Sequence, residues 1–317
     1  MGRYVFRRVL EAIPALLGVT IISFVLLHII PGNPARILLG NHYTAARAAI
    51  LDRNLGLDHP LYYQYVMWLW KALHGNFQYS YVYNQPVIQL IMQALPHTLE
   101  LVAVAFTVAE IFGVMLGTLQ AYYADSWFDQ AMTVILYFLY AMPTFWLGIL
   151  LVKTFAIQLP WFPTGGYVNI NYPHPGFINY LYHLVLPGAT LCAVSLAGYS
   201  RYMRSSMRET LIQDYIRTAR SKGAGEFRVI FVHAMRNSLL PLITLFGLTL
   251  PALFAGALVT EEIFNYPGMG LLFWNAATQE DMPVLLAIIV FLGAMTILGN
   301  LLADLLYAVV DPRISYD

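Results

Sequence analysis

The stretch DYIRTARSKGAGEFRVIFVHAMRN, from Asp214 to Asn237, gathers positive charge in one place. It holds five of the seventeen Lys and Arg residues of the chain. Three more, Arg201, Arg204 and Arg208, lie just upstream, while the whole chain has a formal net charge of zero. A local cluster of this kind has to be explained by where it lies and by what it contacts.

The composition around this cluster is that of an integral membrane protein. Of the 317 residues, 59% are hydrophobic and 11% are charged, and the mean hydropathy is +0.62. A soluble domain carries about a quarter charged residues. The balanced charge argues against nucleic-acid binding, which needs a broad basic surface. Since Cys192 is the one cysteine, an intrachain disulfide and a cysteine-rich metal site are excluded.

Six apolar stretches are long enough to cross a bilayer, which takes about 20 residues each. They are residues 9–30, 98–121, 131–153, 181–200, 239–260 and 283–309. Six spans put both termini on one side. That side, which includes the basic loop at residues 201–238, holds twelve of the seventeen Lys and Arg residues, and the other side holds five. The positive-inside rule therefore predicts cytoplasmic termini and a cytoplasmic basic loop.

Residues 31–97 form the one long segment predicted on the opposite side of the membrane. The run LYYQYVMWLWKALHGNFQYSYVYNQ within it is rich in Tyr and Trp. Amphipathic rings favour the headgroup level of a bilayer. This segment is therefore predicted to be interfacial or to lie in the membrane.

Within the basic loop, the residue order predicts a short helix, a Gly-rich turn and a second helix. Asp214 suits the N-cap, Tyr215–Lys222 contains good helix formers, and Gly223 stands where a left-handed C-cap is needed. A second helix from about Glu226 leads back to the membrane. Because so short a helix is marginal alone in water, its neighbours or a partner must hold it. The positive-inside rule explains the charge but not this order, which is typical of a docking element.

This segment resembles the cytoplasmic EAA-type loop of permease subunits in ATP-binding-cassette importers, specifically those of the dipeptide and oligopeptide permease family. The general loop motif has Glu-Ala-Ala, three residues and Gly. Here Ala219 and Gly223 match, while Arg217 and Thr218 replace the Glu and the first Ala. Further blocks resemble the same family in the same order. They read YVFRRVLEAIPALLGVTIISFVLLHIIPGNPA, LGLDHPLYYQYVMWLWKALHGNF, LPHTLELV, AMPTFWLGILLV, ALVTEEIFNYPGMGLLFWNAATQEDMPVLLA and NLLADLLYAVVDPRI.

The resemblance implies an all-α type I importer permease fold in the cell membrane, with six transmembrane helices and cytoplasmic termini. Residues 1–94 would be an N-terminal helix with an extracytoplasmic segment, and residues 95–310 a five-helix core. The implied partners are a second homologous permease, two cytoplasmic ATP-binding subunits, an extracytoplasmic substrate-binding protein and the lipid bilayer. The implied ATPase-coupling residues are Asp214, Tyr215, Arg217, Thr218, Ala219, Arg220, Lys222 and Gly223.

The chain itself is expected to be a non-catalytic transport subunit. It has no GxxxxGK[ST] loop to hold nucleotide phosphates, so ATP and Mg²⁺ are expected on the partner subunits and no cofactor in this chain. The histidines are scattered without an i, i+4 pair, and no Ser, His and Asp arrangement can be drawn. The sequence therefore predicts neither a catalytic site nor a metal site.

Three carboxylates outside the loop are further candidates. Glu110 lies near the middle of the second span, where a charge is costly. It either lines the translocation path or is a protonated or paired group at a helix contact, which the small residues Gly113 and Gly117 would allow. Glu261 and Glu262 lie on the predicted extracytoplasmic side, and they either contact the binding protein or only mirror the positive-inside bias.

The resemblance favours di- or oligopeptides as the substrate, with nickel or another small nutrient as the alternative in the same family. An ion-coupled secondary transporter or channel, with Glu110 and Asp304 as proton sites, is an alternative from a different class. A membrane scaffold is a third. It predicts that charge reversal at the coupling residues leaves uptake unchanged.

Overall fold

The computed structural model describes residues 2–29, 34–169, 176–239, 242, 245, 254 and 257–310, and the fold within them is all-helical, as predicted. The helices are α1 (Gly2–Ile29), α2 (Pro34–Leu39), α3 (Ala45–Leu55), α4 (Leu61–Leu73), α5 (Val87–Tyr122), α6 (Trp127–Ala141), α7 (Thr144–Leu151, followed by the π-helical Val152–Gln158), α8 (Phe177–Leu211), α9 (Asp214–Ser221), α10 (Glu226–Arg228, the π-helical Val229–Ala234 and Met235–Ser238), α11 (Met269–Thr278) and α12 (Met282–Val310). Residues 257–263 are also helical. Within the described residues, extended pairing is limited to one bridge between Tyr79 and Pro86.

Four of the described helices are long and apolar enough to cross a membrane, and there is a fifth crossing if the bent pair α6 and α7 counts as one span. The four are Leu10–Ile29, Val87–Tyr122, Phe177–Leu211 and Met282–Leu301. They match the first, second, fourth and sixth of the predicted spans. The predicted span at residues 239–260 lies largely outside the described residues. The total of six spans and the side of the termini therefore stay predictions.

The predicted span at residues 131–153 is bent rather than straight. α6 ends at Ala141 and α7 begins at Thr144, and the two helices make an angle of 106°. Between them, Met142 and Pro143 have extended backbone, with ψ of 132° and 131°. Proline lacks an N–H and disfavours helical backbone at the residue before it, which accounts for the break.

α5 and α8 pack with their backbones in close approach. A Cβ atom added at Gly113 would lie 2.6 Å from the Tyr199 Cβ, and one added at Gly117 would lie 2.4 Å from the Ser200 carbonyl oxygen. Since real Cβ atoms essentially never come within 3.0 Å of another atom in this way, only glycine fits at these two positions. The predicted role of Gly113 and Gly117 in close helix packing is confirmed.

By its internal contacts the chain divides into two compact units. The first comprises Met1–Thr98 and Pro267–Ile297, and the second is built around Leu99–Tyr266. The first unit thus includes the start of α12, which the predicted division at residue 94 assigns to the second part.

In the first unit, α1 and α12 run antiparallel. The Val19 side chain lies 3.3 Å from where a Cβ of Gly293 would stand, and Phe24 and Leu286 share one buried cluster. Positions that come later in α1 therefore meet positions that come earlier in α12. The end of α1 and the beginning of α12 therefore lie at the same end of this helix pair.

α4 packs against the same part of α1. The Tyr65 hydroxyl and the Thr20 hydroxyl are 2.9 Å apart. On α4, Tyr62 and Trp70 are exposed over 75% and 62% of their surface. Exposed aromatic rings beside a spanning helix fit the interfacial position expected from the sequence, which stays a prediction.

A buried carboxylate ties the segment before α5 to the start of α12. Asp281 has no exposed surface. It accepts hydrogen bonds from the Ser80 hydroxyl (2.5 Å) and from the backbone N–H groups of Tyr81 (3.1 Å) and Val82 (3.3 Å). Burial, and then the neighbouring Asp281 carboxylate, raise the pKa of Tyr81 to about 12.

Candidate coupling site

The predicted short helix is present as α9, which has eight residues. Extended backbone (φ −70°, ψ 150°) falls at Gln213, so Gln213 is the N-cap and Asp214 is the first helical residue. The prediction of Asp214 as the N-cap is therefore wrong by one position. The Asp214 carboxylate still lies in the first turn, where the helix dipole favours negative charge.

α9 ends as predicted, on a left-handed glycine. Gly223 has φ +80° and donates its N–H to the Arg220 carbonyl oxygen (2.9 Å). The next N–H, that of Ala224, donates to the Ala219 carbonyl oxygen (3.2 Å), which completes a Schellman motif. The helix is thus closed at a defined residue before the chain enters α10.

One side of α9 is anchored in the protein. Ile216 has no exposed surface and belongs to the same buried apolar cluster as Met207 of α8 and Val229 of α10. The Asn237 side-chain amide donates a hydrogen bond to the Tyr215 hydroxyl (2.7 Å), which ties α9 to the end of α10. These contacts supply the support that so short a helix lacks in water.

The other side of α9 presents its charges to solvent. Arg217 pairs with Asp214 at 3.3 Å, and the two side chains are 75% and 95% exposed, so the pair holds neither group firmly. Arg220 forms a bidentate pair with Glu226, at 2.9 and 3.3 Å. Lys222 is exposed and makes no ion pair within the part of the chain that the structure describes. Arg217 and Lys222 are therefore open to a partner, whereas Arg220 already has one in this chain.

The two remaining predicted coupling residues lie between these sides. Thr218 is exposed, and its hydroxyl donates to the Asp214 carbonyl oxygen within the helix (2.9 Å). Ala219 is half-buried. The structure therefore brings all eight predicted coupling residues into one contiguous element, with one anchored face and one exposed face.

Two large apolar residues that flank α9 in the sequence are also exposed. Ile212 and Phe227 expose 75% and 74% of their surface, and the Phe227 ring lies 4.6 Å from the Phe231 ring. Because they flank the charged helix in the sequence, these two residues are candidates for the same partner contact. Charge patterning alone does not indicate these two residues, whereas an apolar residue inside a basic segment is a signal in the sequence that does.

The upstream arginines of the basic cluster are engaged inside the chain. Arg204 donates from Nε and Nη2 to the two carboxylate oxygens of Asp129, both at 2.6 Å. Arg208 pairs with Asp125 at 3.2 Å, and the Arg201 guanidinium lies 5.3 Å from the centre of a tyrosine ring of α6. The carboxylate partners are 75 and 83 residues away in the sequence, which is why the sequence analysis missed them.

Glu110 is half-buried in α5, and its carboxylate forms no hydrogen bond or ion pair with the described residues. Neither the translocation path nor a paired helix contact is settled by this position, so both interpretations stay predictions. The side chain of Asp304 lies outside the described residues. Among the described residues, no group of three His, Cys, Asp or Glu side chains could hold a metal ion.

The structure separates the two outer carboxylates. Glu261 has no exposed surface, and its carbonyl oxygen accepts a hydrogen bond from the Tyr266 N–H (2.8 Å) as the chain folds back. Residue 166 packs against the backbone that follows, since the Gly166 N–H donates a hydrogen bond to the Phe264 carbonyl oxygen (2.8 Å). A fully buried side chain does not fit the surface contact predicted for Glu261. Glu262 is half-buried and remains a candidate.

Two family models match the chain, and together they cover nearly all of it. The model described as binding-protein-dependent transport system inner membrane component matches residues 113–316. The model for the N-terminal region of binding-protein-dependent transport system membrane components matches residues 1–102.

Curated relatives match over their full length. The oligopeptide transport system permease protein AppB of Bacillus subtilis (strain 168) is 42% identical over 317 residues, which is 100% of both chains. A putative peptide transport system permease protein of Brucella suis biovar 1 (strain 1330) is 38% identical over 318 residues, again 100% of both.

Among solved structures, a chain of the inward-facing MetNI methionine ABC transporter shares the fold. Its TM-score is 0.57 at 14% sequence identity, and the match covers 71% of this chain and 97% of that one.

Proposed function

Because the chain belongs to the family of binding-protein-dependent transport system inner membrane components, we propose that it is the membrane-spanning permease subunit of an ATP-driven importer for di- and oligopeptides. Full-length relatives named as oligopeptide and peptide transport permeases support the substrate class. The fold shared with a chain of an ABC transporter supports the type of machine. The chain sits in the cell membrane and forms half of a pore with a second permease.

One observation carries the coupling role, namely the two-faced build of α9. The inner face is fixed by Ile216, which is fully buried, and by the hydrogen bond at Tyr215. The outer face carries Arg217 and Lys222, both exposed. A helix held by its own protein on one side and open on the other is suited to receive a force from a partner.

ATP binding and hydrolysis belong to two cytoplasmic partner subunits in this proposal, and Mg²⁺ is bound there as well. When these subunits close, they displace α9, and its anchorage in α8 and α10 passes the displacement to the membrane helices. The exposed Ile212 and Phe227 extend the contact on either side of the charged face. An extracytoplasmic binding protein delivers the substrate, and Glu262 is a candidate for its contact.

The decisive experiment reverses Arg217, whose pair with Asp214 is exposed to solvent, and Lys222, the C-cap of α9. Arg217→Glu and Lys222→Glu are introduced together, and capture of the ATPase subunits by the purified permease is measured alongside ATP-driven uptake in proteoliposomes. Placing like charges at a complementary interface costs several kcal/mol, so capture and uptake are expected to fall by more than about tenfold. Arg220 is left in place because its bidentate pair with Glu226 is less exposed than the pair between Arg217 and Asp214, so its reversal would also disturb the contact between α9 and α10.

The matched control reverses two exposed arginines of α3, Arg47 and Arg53, in the first unit. Capture of the ATPase is expected to be unchanged in this control. If the α9 variant captures the ATPase and transports as well as the wild type, the coupling role is wrong. Uptake driven by a proton gradient without ATP would instead favour an ion-coupled transporter.

The substrate is tested on the binding protein of the same system. Its melting temperature is measured with a set of di- and oligopeptides and with Ni²⁺. A rise with peptides alone supports the proposal, and a rise with Ni²⁺ alone contradicts it.

For the path through this chain, Glu110→Gln separates the two interpretations of that residue. If Glu110 lines the translocation path, the variant is expected to change uptake and to leave the melting temperature unchanged. If Glu110 is a packing contact, the variant is expected to change the melting temperature and to leave uptake unchanged.

A further inference from the structure

The N-terminal turn of α6 is joined to α8 by an ion pair with a buried carboxylate, which the proposed coupling site does not include. The two Arg204–Asp129 hydrogen bonds are both 2.6 Å long. The Asp129 side chain is 2% exposed and that of Arg204 is 29% exposed. Short and bidentate, with its carboxylate shielded from water, this pair is the strong kind of charge-assisted contact.

A third helix completes the arrangement. The Ser200 hydroxyl of α8 donates to the side-chain oxygen of Gln120 in α5 (2.8 Å), and the Gln120 amide group donates to Thr133 of α6 (3.2 Å). The same amide lies 3.4 Å from Asp129. The end of α5, the beginning of α6 and the last turns of α8 are therefore held in one polar network. Sliding of α6 along α8 would break it.

The pair also lies close to the coupling helix. α8 is a single helix of 35 residues that ends at Leu211, and α9 begins at Asp214. Arg204 stands seven residues before the end of α8, or about 10 Å at 1.5 Å per residue. Arg204 therefore lies between α9 and the predicted span at residues 181–200, so a tilt of α8 that starts at α9 also moves Arg204.

We propose that Asp129 and Arg204 are positioning residues for energy coupling, which make α6 follow α8 when an ATPase subunit displaces α9. The inference rests on the proposed function. α6 leads through the 106° break into α7, so a force on Asp129 is delivered to the bent span. An apolar contact would let the helices slip, whereas two short directional hydrogen bonds hold one register.

The test measures uptake and ATP hydrolysis in the same proteoliposomes, with the full complex and its binding protein. The variants are Asp129→Asn, Arg204→Gln and the double variant. Each single variant is expected to lower the amount of substrate transported per ATP about tenfold, within the usual range of coupling between sites. Because the two groups act as a unit, the double variant is expected to be no worse than either single one.

A neighbouring pair provides the matched control. Asp125, in the turn before α6, pairs with Arg208 of α8 at 3.2 Å, but the two side chains are 77% and 41% exposed. Asp125→Asn and Arg208→Gln are expected to leave the transport per ATP unchanged, because exposed pairs contribute little.

Arg204→Lys guards against variants that do not assemble. It keeps the charge but not the bidentate geometry, so an intermediate transport per ATP is expected. The inference is overturned if transport per ATP is normal in Arg204→Lys and in the single variants, or if uptake falls only in proportion to the amount of assembled complex. If the wild-type permease does not capture the ATPase subunits, the proposed function is wrong instead.

Discussion

Replacing Gly117 with alanine perturbs the contact between α5 and α8 by one methyl group. The added Cβ would lie 2.4 Å from the Ser200 carbonyl oxygen and 2.6 Å from the Met203 Cβ, while ordinary contacts begin at 3.4 Å. The nearest obstacle is backbone, which has no side-chain rotation with which to move away. α5 and α8 therefore have to separate by about 1 Å at this point, since interiors are close-packed.

The cost follows from two effects of that separation. Overpacking of a well-packed interface typically costs about 1–3 kcal/mol. One turn along α5, the 2.8 Å bond between Ser200 and Gln120 would be stretched out of hydrogen-bonding range, and both groups are buried. A buried polar group without its partner costs about 1–3 kcal/mol more. The free energy of unfolding is thus expected to fall by about 2–5 kcal/mol, and the melting temperature of a 317-residue chain by roughly 3–8 °C.

The chain contains a reporter for this measurement. Cys192 is its one cysteine and is buried in α8, so a thiol-reactive fluorophore gives a signal when the protein unfolds on heating. Gly188→Ala and Gly198→Ala, on the same helix, are the controls, because nothing lies within 4 Å of a Cβ at either position. Both controls are expected to change stability by less than about 1 kcal/mol. A Gly117→Ala protein that melts with the controls would refute the reasoning.

Three further predictions use the same logic. Gly223→Ala puts a side chain on left-handed backbone (φ +80°) and is expected to weaken α9 docking by about 1 kcal/mol. Gly225→Ala is the control, because Gly225 has φ −63° and alanine fits there without strain. Hydrogen exchange of the α9 amides compares the stability of α9 in the two variants. Asp281→Asn weakens three hydrogen bonds to a buried carboxylate and is expected to cost about 2–4 kcal/mol in thermal melts, against no change for half-exposed Asp58→Asn. The pKa of Tyr81 is raised from 10.0 to about 12, so its stabilising effect is complete below pH 10 and is lost as the pH rises through 12. Tyr81→Phe is expected to flatten the melting temperature over that range.

Features that depend on neighbouring residues could be predicted from the sequence, and features that depend on distant contacts could not. Apolar length identified the four long helices that the structure describes as candidate spans, and Gly223 marked the end of α9 because a left-handed turn needs glycine. Proline shows the limit. Pro96 and Pro187 lie inside the continuous helices α5 and α8, whereas the chain breaks at Pro143. Neighbouring helices decide whether the groups freed by proline find partners, and sequence alone does not contain them.

The basic cluster illustrates the same limit within one segment. The positive-inside rule treats all its charges alike, since it concerns only the side of the membrane. The structure shows that these charged side chains differ in where they point. Arg204 and Arg208 belong to the last turns of α8 and pair with carboxylates of this chain, whereas Arg217 and Lys222 on α9 face outward. Substitutions in the first group therefore act through the packing of α6 on α8, and substitutions in the second act through a partner. Melting of the isolated chain separates the two, because losing Arg204 removes a buried contact and losing Lys222 removes none.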